Sequence, residues 1–188
     1  MTKKQAAETA ANDQPADLPQ LNEAEVAEKI AKLRSHVHEN FGKVVMAMMS
    51  QPRYRHQTLA DLSHLVLEPL TVDRIAMAYA RQPDNPAPDM AGMAIWASVS
   101  EEVDQKIREQ IRAGIFPIRL KANEWISGEI NWLLDVIAVD QKTTGSVIAN
   151  FKQVAKTGDL RLHPIITRLV DKDTLEKIQS SQVADADA

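Results

Sequence analysis

Trp125 to Val139 reads WISGEINWLLDVIAV. Within it Trp132, Leu133, Leu134, Val136, Ile137 and Ala138 form a strand-like apolar run with one carboxylate, Asp135, at its centre. A bare charge in apolar surroundings is costly, so Asp135 needs a reason. Either donors inside the protein satisfy it, as when an Asp near a strand end orders backbone amides, or the site uses a desolvated carboxylate to move protons.

Upstream of this block, Ser100 followed by Glu101, Glu102 and Val103 starts an amphipathic helix. Val103, Ile107 and Ile111 lie on one stripe and Gly114 is its C-cap. Before that the period is two. Ile75, Met77 and Tyr79 share one face, the turn-rich PDNPAPD follows, and a second strand covers Met90 to Val99, which together predict a β-hairpin. Earlier still, Asn22 with Glu25 makes a capping pair, and Val26, Ile30, Leu33 and Val37 recur at helical spacing. That helix either runs on or restarts after Gly42, through Val44, Val45, Met48 and Met49, until Pro52 ends it. After the loop QPRYRHQ, Thr58 opens a short helix carrying Leu59, Leu62, Leu65 and Val66 up to Pro69.

Downstream, Thr144, Gly145 and Ser146 begin a helix through Val147, Ile148, Phe151 and Val154, and a last short helix covers Thr174 to Ile178. The order α-α-β-β-α-β-α is an α+β mixture without internal repeats. Residues 1–20, rich in Ala, Asp, Gln and Pro, cannot offset the entropy of ordering and read as a disordered tail. A single domain over 21–179 and a second disordered tail over 180–188 complete the expected organisation.

With 188 residues, 44% of them hydrophobic, the chain is long enough to bury a real core. Its 22 Lys and Arg against 26 Asp and Glu leave a net charge of −4, without the positive surplus usual in a nucleic-acid binder. No cysteine is present, which excludes disulfides, thiolate catalysis and cysteine-ligated metal. The N-terminal stretch lacks the apolar segment of a secretory signal, and no window approaches the roughly 18 apolar residues of a membrane span. A cytoplasmic location is the expectation.

His36 and His38 lie two apart on a helix and face different ways, so they do not chelate together. No HExxH, paired CxxC or phosphate-binding glycine loop appears, and no metal or bound cofactor is expected. His163, next to Pro164, belongs in a strand-end turn. The loop Pro52 to His56 packs Arg53, Tyr54, Arg55 and His56 between two apolar helices. It reads either as a solvated basic loop or as the source of a general base, since an unperturbed histidine titrates at about 6.5.

The Asp135 block resembles the signature of the RTX toxin-activating lysine acyltransferases, in which a Ser-Gly-Asp element precedes a Trp and then an Asp in a Trp-Ile-Ala context. Ser127, Gly128, Trp132, Asp135, Ile137 and Ala138 match it. Trp96, Ala97 and Ser100 resemble the family's Ser-Trp-Ala-x-Leu-Ser segment, and VVMAMMSQPRYRHQTLADLSHLVLEPL resembles its first helix, loop and Leu-Pro segment. The likeness covers about residues 40–155.

The resemblance implies an N-acetyltransferase-like fold with a central, mostly antiparallel sheet flanked by helices. It also implies transfer of a fatty acyl group from acyl-carrier protein to internal lysines of a protein substrate, a protoxin, and a homodimer as a plausible assembly. The family's catalytic pair is a His in a Ser-Pro-x-His-Arg loop and the Asp of the block. The Asp falls on Asp135. Pro52 and Arg55 match the loop, but the histidine position falls on Tyr54, with His56 two residues later and Ser50 one position early. Three outcomes stay open: His56 supplies the base, Tyr54 works in another role, or this member is a catalytically altered relative that binds an acyl carrier or client chain. Transfer to a small amine is a further alternative.

The chemistry explains the need. A lysine amine has a pKa of about 10.4 and cannot attack a thioester until a base takes its proton. The donor's phosphate needs a cradle, for which Thr144, Gly145 and Ser146 offer free amides if they start a helix, although starting a helix can be their whole role. Acyl-carrier protein is acidic. Arg53, Arg55, Arg108, Arg112, Arg119, Lys121, Lys152 and Lys156 can supply a basic docking face or can simply be solvated.

Overall fold

The computed structural model describes residues 22–79, 89–154 and 160–170. The helix expected over 174–178, both expected tails and the hairpin turn at 83–88 lie outside them. Two compact units divide the chain, Met1–Arg34 and Ser35–Ala188, with the boundary inside the first helix, α1 (Glu23–Met49).

In the first unit the capping pair forms as the sequence predicts. Asn22 Oδ1 accepts from the Glu25 N–H at 2.8 Å while the Glu25 carboxylate accepts from the Asn22 N–H at 3.3 Å. Val26, Ile30 and Leu33 are exposed, and a Glu28–Lys32 pair at 2.6 Å supports this turn as an i,i+4 contact does.

In the second unit α1 passes Gly42 without a break and buries Asn40, Val44 and Met48 along one stripe. Pro52 then opens a single 3₁₀ turn, Pro52–Tyr54. Thr58 does not open a regular helix. Its N–H and hydroxyl both donate to the Asp61 carboxylate, at 2.7 and 2.8 Å, and close a turn. Regular winding begins only with a π turn over Ser63–Leu67, which runs into the short α2 (Glu68–Thr71).

Strands β1 (Ile75–Tyr79) and β2 (Met90–Val99) pair antiparallel, as the two-residue period predicts. Helix α3 (Glu101–Arg112) is capped by Ser100, whose hydroxyl accepts from the Val103 N–H, and Gly114 closes it at φ +69°, in the left-handed region. Strand β3 (Ile130–Ala138) lies antiparallel to β2. Helix α4 (Gln141–Val154) follows, and a three-residue strand absent from the sequence reading, β4 (Leu160–Leu162), adds parallel to β3. Sheet order is β1-β2-β3-β4.

This is the expected α+β arrangement of a mostly antiparallel sheet flanked by helices. One face packs Trp132, Leu134 and Ile137 of β3 against α1, α2 and α3, and the other packs Leu133 and Val136 against Val147, Ile148 and Phe151 of α4. Among the described residues no helix is long and apolar enough to cross a membrane.

Candidate active site

A β-bulge decides where Asp135 points. Ile95 pairs with Asp135 and Trp96 with Leu133, so Leu134 and Asp135 together face a shorter stretch of β2. Trp132 and Leu134 share one face, and the extra residue shifts the alternation so that Asp135 and Ile137 fall on that same side. Without the bulge Asp135 would turn toward α4.

On its own side Asp135 meets the turn after α1. The Tyr54 hydroxyl donates to Asp135 Oδ2 at 2.7 Å, and Arg53 donates from Nε to Oδ2 at 3.0 Å and from Nη2 to Oδ1 at 3.2 Å. The Val136 N–H completes the set at 2.8 Å to Oδ1. A carboxylate offers about four lone-pair directions, and all four are taken. Arg53 is held in turn by the Val136 carbonyl at 2.9 Å and Gln51 Oε1 at 2.7 Å. Of the two sequence alternatives for Asp135, internal satisfaction is therefore realised in full.

Burial still dominates its titration. It raises the Asp135 carboxyl above its ordinary range, against the lowering pull of Arg53, Tyr54 and the Val136 amide. Burial, and then the Asp135 charge, push the Tyr54 phenol well above its usual value, so Tyr54 keeps its proton at neutral pH.

Tyr54 and Asp135 stand at a small cavity of about 20 Å³, walled by apolar groups including Met48, Leu65, Phe116 and Trp125. That is room for about one water molecule. Phe116 packs its ring against Tyr54 at 5.5 Å and against buried His163 at 5.8 Å. His163 accepts from the Ile165 N–H through Nδ1, and burial lowers its pKa, so the ring is neutral.

His56 sits elsewhere. It is exposed and accepts from Arg55 Nε at 2.9 Å, with no contact to Asp135. Thr144, Gly145 and Ser146 do not start α4. The helix begins at Gln141, Asp140 Oδ1 takes the Thr143 N–H at 2.7 Å, and the Thr144 N–H is bonded to the Asp140 carbonyl. The Thr144 amide expected in a phosphate cradle is thus taken by a backbone carbonyl inside the helix, and an acidic side chain caps the helix start. The basic docking set is also reduced, because Arg53 turns inward to Asp135 and Arg108 pairs with Asp104 at 2.9 Å. Lys156 lies outside the described residues.

The matched Ser127–Gly128 pair is a clamp. Ser127 Oγ accepts from the Ser100 N–H at 3.0 Å and donates to the Glu124 carbonyl at 3.0 Å, while the Gly128 N–H reaches the Ser98 carbonyl at 3.2 Å. A Cβ on Gly128 would stand 2.6 Å from the Val99 carbonyl oxygen, so the backbone approaches too closely for a side chain. Sequence reasoning missed Arg53 as the partner of Asp135 and Trp125 as a wall of its cavity. Position beside Tyr54 was the only signal for Arg53.

Among the described residues no group of three or more His, Asp or Glu is placed to hold a metal ion. The model of the RTX toxin acyltransferase family matches residues 33–155, which include α1 from Leu33, the Tyr54 turn and the whole Asp135 strand. The chain belongs to that family. No curated protein matches it closely enough to count as a relative.

Proposed function

We propose that this protein moves a fatty acyl group from acyl-carrier protein to internal lysine side chains of a protein substrate, with Tyr54 and Asp135 as a proton relay. The observation that carries the reading is the 2.7 Å hydrogen bond from Tyr54 to Asp135, both lining a largely apolar cavity, in a family of toxin acyltransferases.

Asp135 has no lone pair open to a substrate proton, but it can take the proton that Tyr54 already points at it. The lysine ammonium sheds one proton to solvent, and its nitrogen attacks the thioester carbonyl carbon. The second nitrogen proton passes to the Tyr54 oxygen as the Tyr54 proton moves to Asp135. Collapse breaks the C–S bond and the thiolate recovers that proton by the reverse route, leaving amide and thiol. Burial, which raises the Asp135 pKa, makes it a better acceptor. An amphoteric phenol thus stands where the family places an imidazole.

The saturation of Asp135 by Arg53 favours a second reading, a catalytically altered relative that binds acyl carrier or client chain without turnover. One experiment separates them. Incubate the full chain with acyl-carrier thioester and a candidate acceptor, and follow intact mass: acylated acceptor supports transfer, whereas a stable complex with no adduct supports the binding module.

A further inference from the structure

Trp125 is 1% exposed and lines the same cavity as Tyr54 and Asp135, and its indole N–H is buried with no hydrogen-bond partner. Buried donors are nearly always paired, and among the described residues whose buried polar atoms lack a partner Trp125 is one that lines the cavity of Tyr54 and Asp135. An indole N–H can only donate, so its partner is an acceptor with a free lone pair, such as a carbonyl oxygen.

The other polar side chains of this wall do not compete for that oxygen. The Tyr54 proton is given to Asp135, and Asp135 is itself an acceptor. The remaining lining side chains, among them Met48, Ile95, Phe116 and Leu134, are apolar. Trp125 is also held firmly. Its carbonyl accepts from the Ser98 N–H at 3.0 Å, and the Ser127–Gly128 clamp begins two residues later. A donor fixed before substrate arrives costs no reorganisation when charge develops on the acceptor.

We infer that the Trp125 indole N–H is the hydrogen-bond donor to the acyl thioester carbonyl oxygen, a single atom that the one-water space beside Tyr54 can take. The inference rests on the acyl-transfer reading above. As the lysine nitrogen adds to the carbonyl carbon, the C=O π pair becomes a lone pair on oxygen, and the N–H···O bond strengthens. When the C–S bond breaks, that pair re-forms the carbonyl of the amide.

Two measurements test it. With the full chain carrying ¹⁵N-labelled indoles, add an acyl-pantetheine ketone in which CH₂ replaces the thioester sulfur. The Trp125 indole proton should move downfield, while cavity methyl resonances report binding independently. Methyl shifts with an unmoved Trp125 indole overturn the assignment, and no shift anywhere overturns both donor and cavity. Trp125→Phe, shown folded by its melting curve, should lower kcat on the order of 10²-fold with KM little changed. Wild-type turnover in that variant also overturns it. Absence of transfer by the wild type defeats the acyl-transfer reading instead, and the indole shift still reports whether Trp125 meets a carbonyl.

Discussion

The Tyr54 hydroxyl and the Asp135 carboxylate meet at 2.7 Å across 81 residues of sequence, both buried, with Arg53 closing the other side of the carboxylate. The pair is asymmetric. Burial holds the proton on Tyr54 and also raises the affinity of Asp135 for one.

Tyr54→Phe removes the relay and leaves Asp135 Oδ2 one donor short. Acyl transfer should fall by about 10²- to 10⁴-fold, the range of a positioned acid–base group, and stability should drop by about 1–3 kcal/mol for the unpaired carboxylate direction. Intact mass of the acceptor and denaturant unfolding measure the two effects. Asp135→Asn should lose transfer to a similar degree, since an amide cannot hold the relayed proton; full activity in it would remove Asp135 from the mechanism.

His56→Ala should leave acyl transfer within about twofold of wild type, as surface substitutions usually do, with an unchanged melting temperature. The exposed ring touches Arg55 and not the carboxylate. A large loss of transfer would return His56 to the candidate base and displace Tyr54.

Arg53→Met breaks a buried ion pair, with Arg53 16% and Asp135 3% exposed in their side chains. Loss of one partner of such a pair costs about 3–5 kcal/mol. It also removes an influence that lowers the Asp135 pKa. The relay needs Asp135 ionised, so wild-type activity should decline on the acid side at a pH above the ordinary 3.8 of an aspartate, and this limb should move further up in the variant. The stability sign is opposite to that of a paired surface Asp: because the folded pKa is raised, Asp135 costs stability as pH rises from 3.8 through that value. A pH–rate profile with an unmoved acid limb would contradict the relay.

Much of this was legible in the chain, for physical reasons that differ by residue. Asp135 stood out because a charge inside Leu133–Ala138 must be explained, and the hairpin and α3 followed from period and capping. Arg53 was not legible, because an arginine in a short polar loop looks the same solvated or turned inward. Nor was the bulge, which exists only relative to the register of β2. β4 is three residues long, too short to show a period. The helix start at Thr144 was misplaced because Asp140, an equally good cap, lies four residues earlier.

Gly128→Ala should destabilise the protein by about 1–3 kcal/mol, the usual cost of forcing atoms into a filled site. The new methyl would meet the Val99 carbonyl oxygen at 2.6 Å and the Ser100 nitrogen at 2.7 Å, all backbone atoms that cannot rotate away. Since the clamp also carries Trp125, transfer should weaken along with stability. Thermal unfolding equal to wild type would show that this approach is looser than described.

Asp104 gives a pH test away from the cavity. Only 4% exposed, it accepts from Trp132 Nε1 at 2.7 Å and Arg108 Nε at 2.9 Å and pairs with Arg161, tying α3 to β3 and β4. Burial alone would raise its pKa, but the hydrogen bonds from Arg161, Trp132 and Arg108 together hold it below the ordinary 3.8. A depressed folded pKa means that this stabilisation is present above about pH 4 and is lost as pH falls through the folded value. Asp104→Asn should therefore cost about 1.5–3 kcal/mol at neutral pH, the range for hydrogen bonds to a charged group, discounted toward the lower end because Arg108 is half exposed. The gap between variant and wild type should narrow steadily in denaturant titrations below pH 4. A gap that stays constant with pH would mean that the network is held by packing and not by the charge on Asp104.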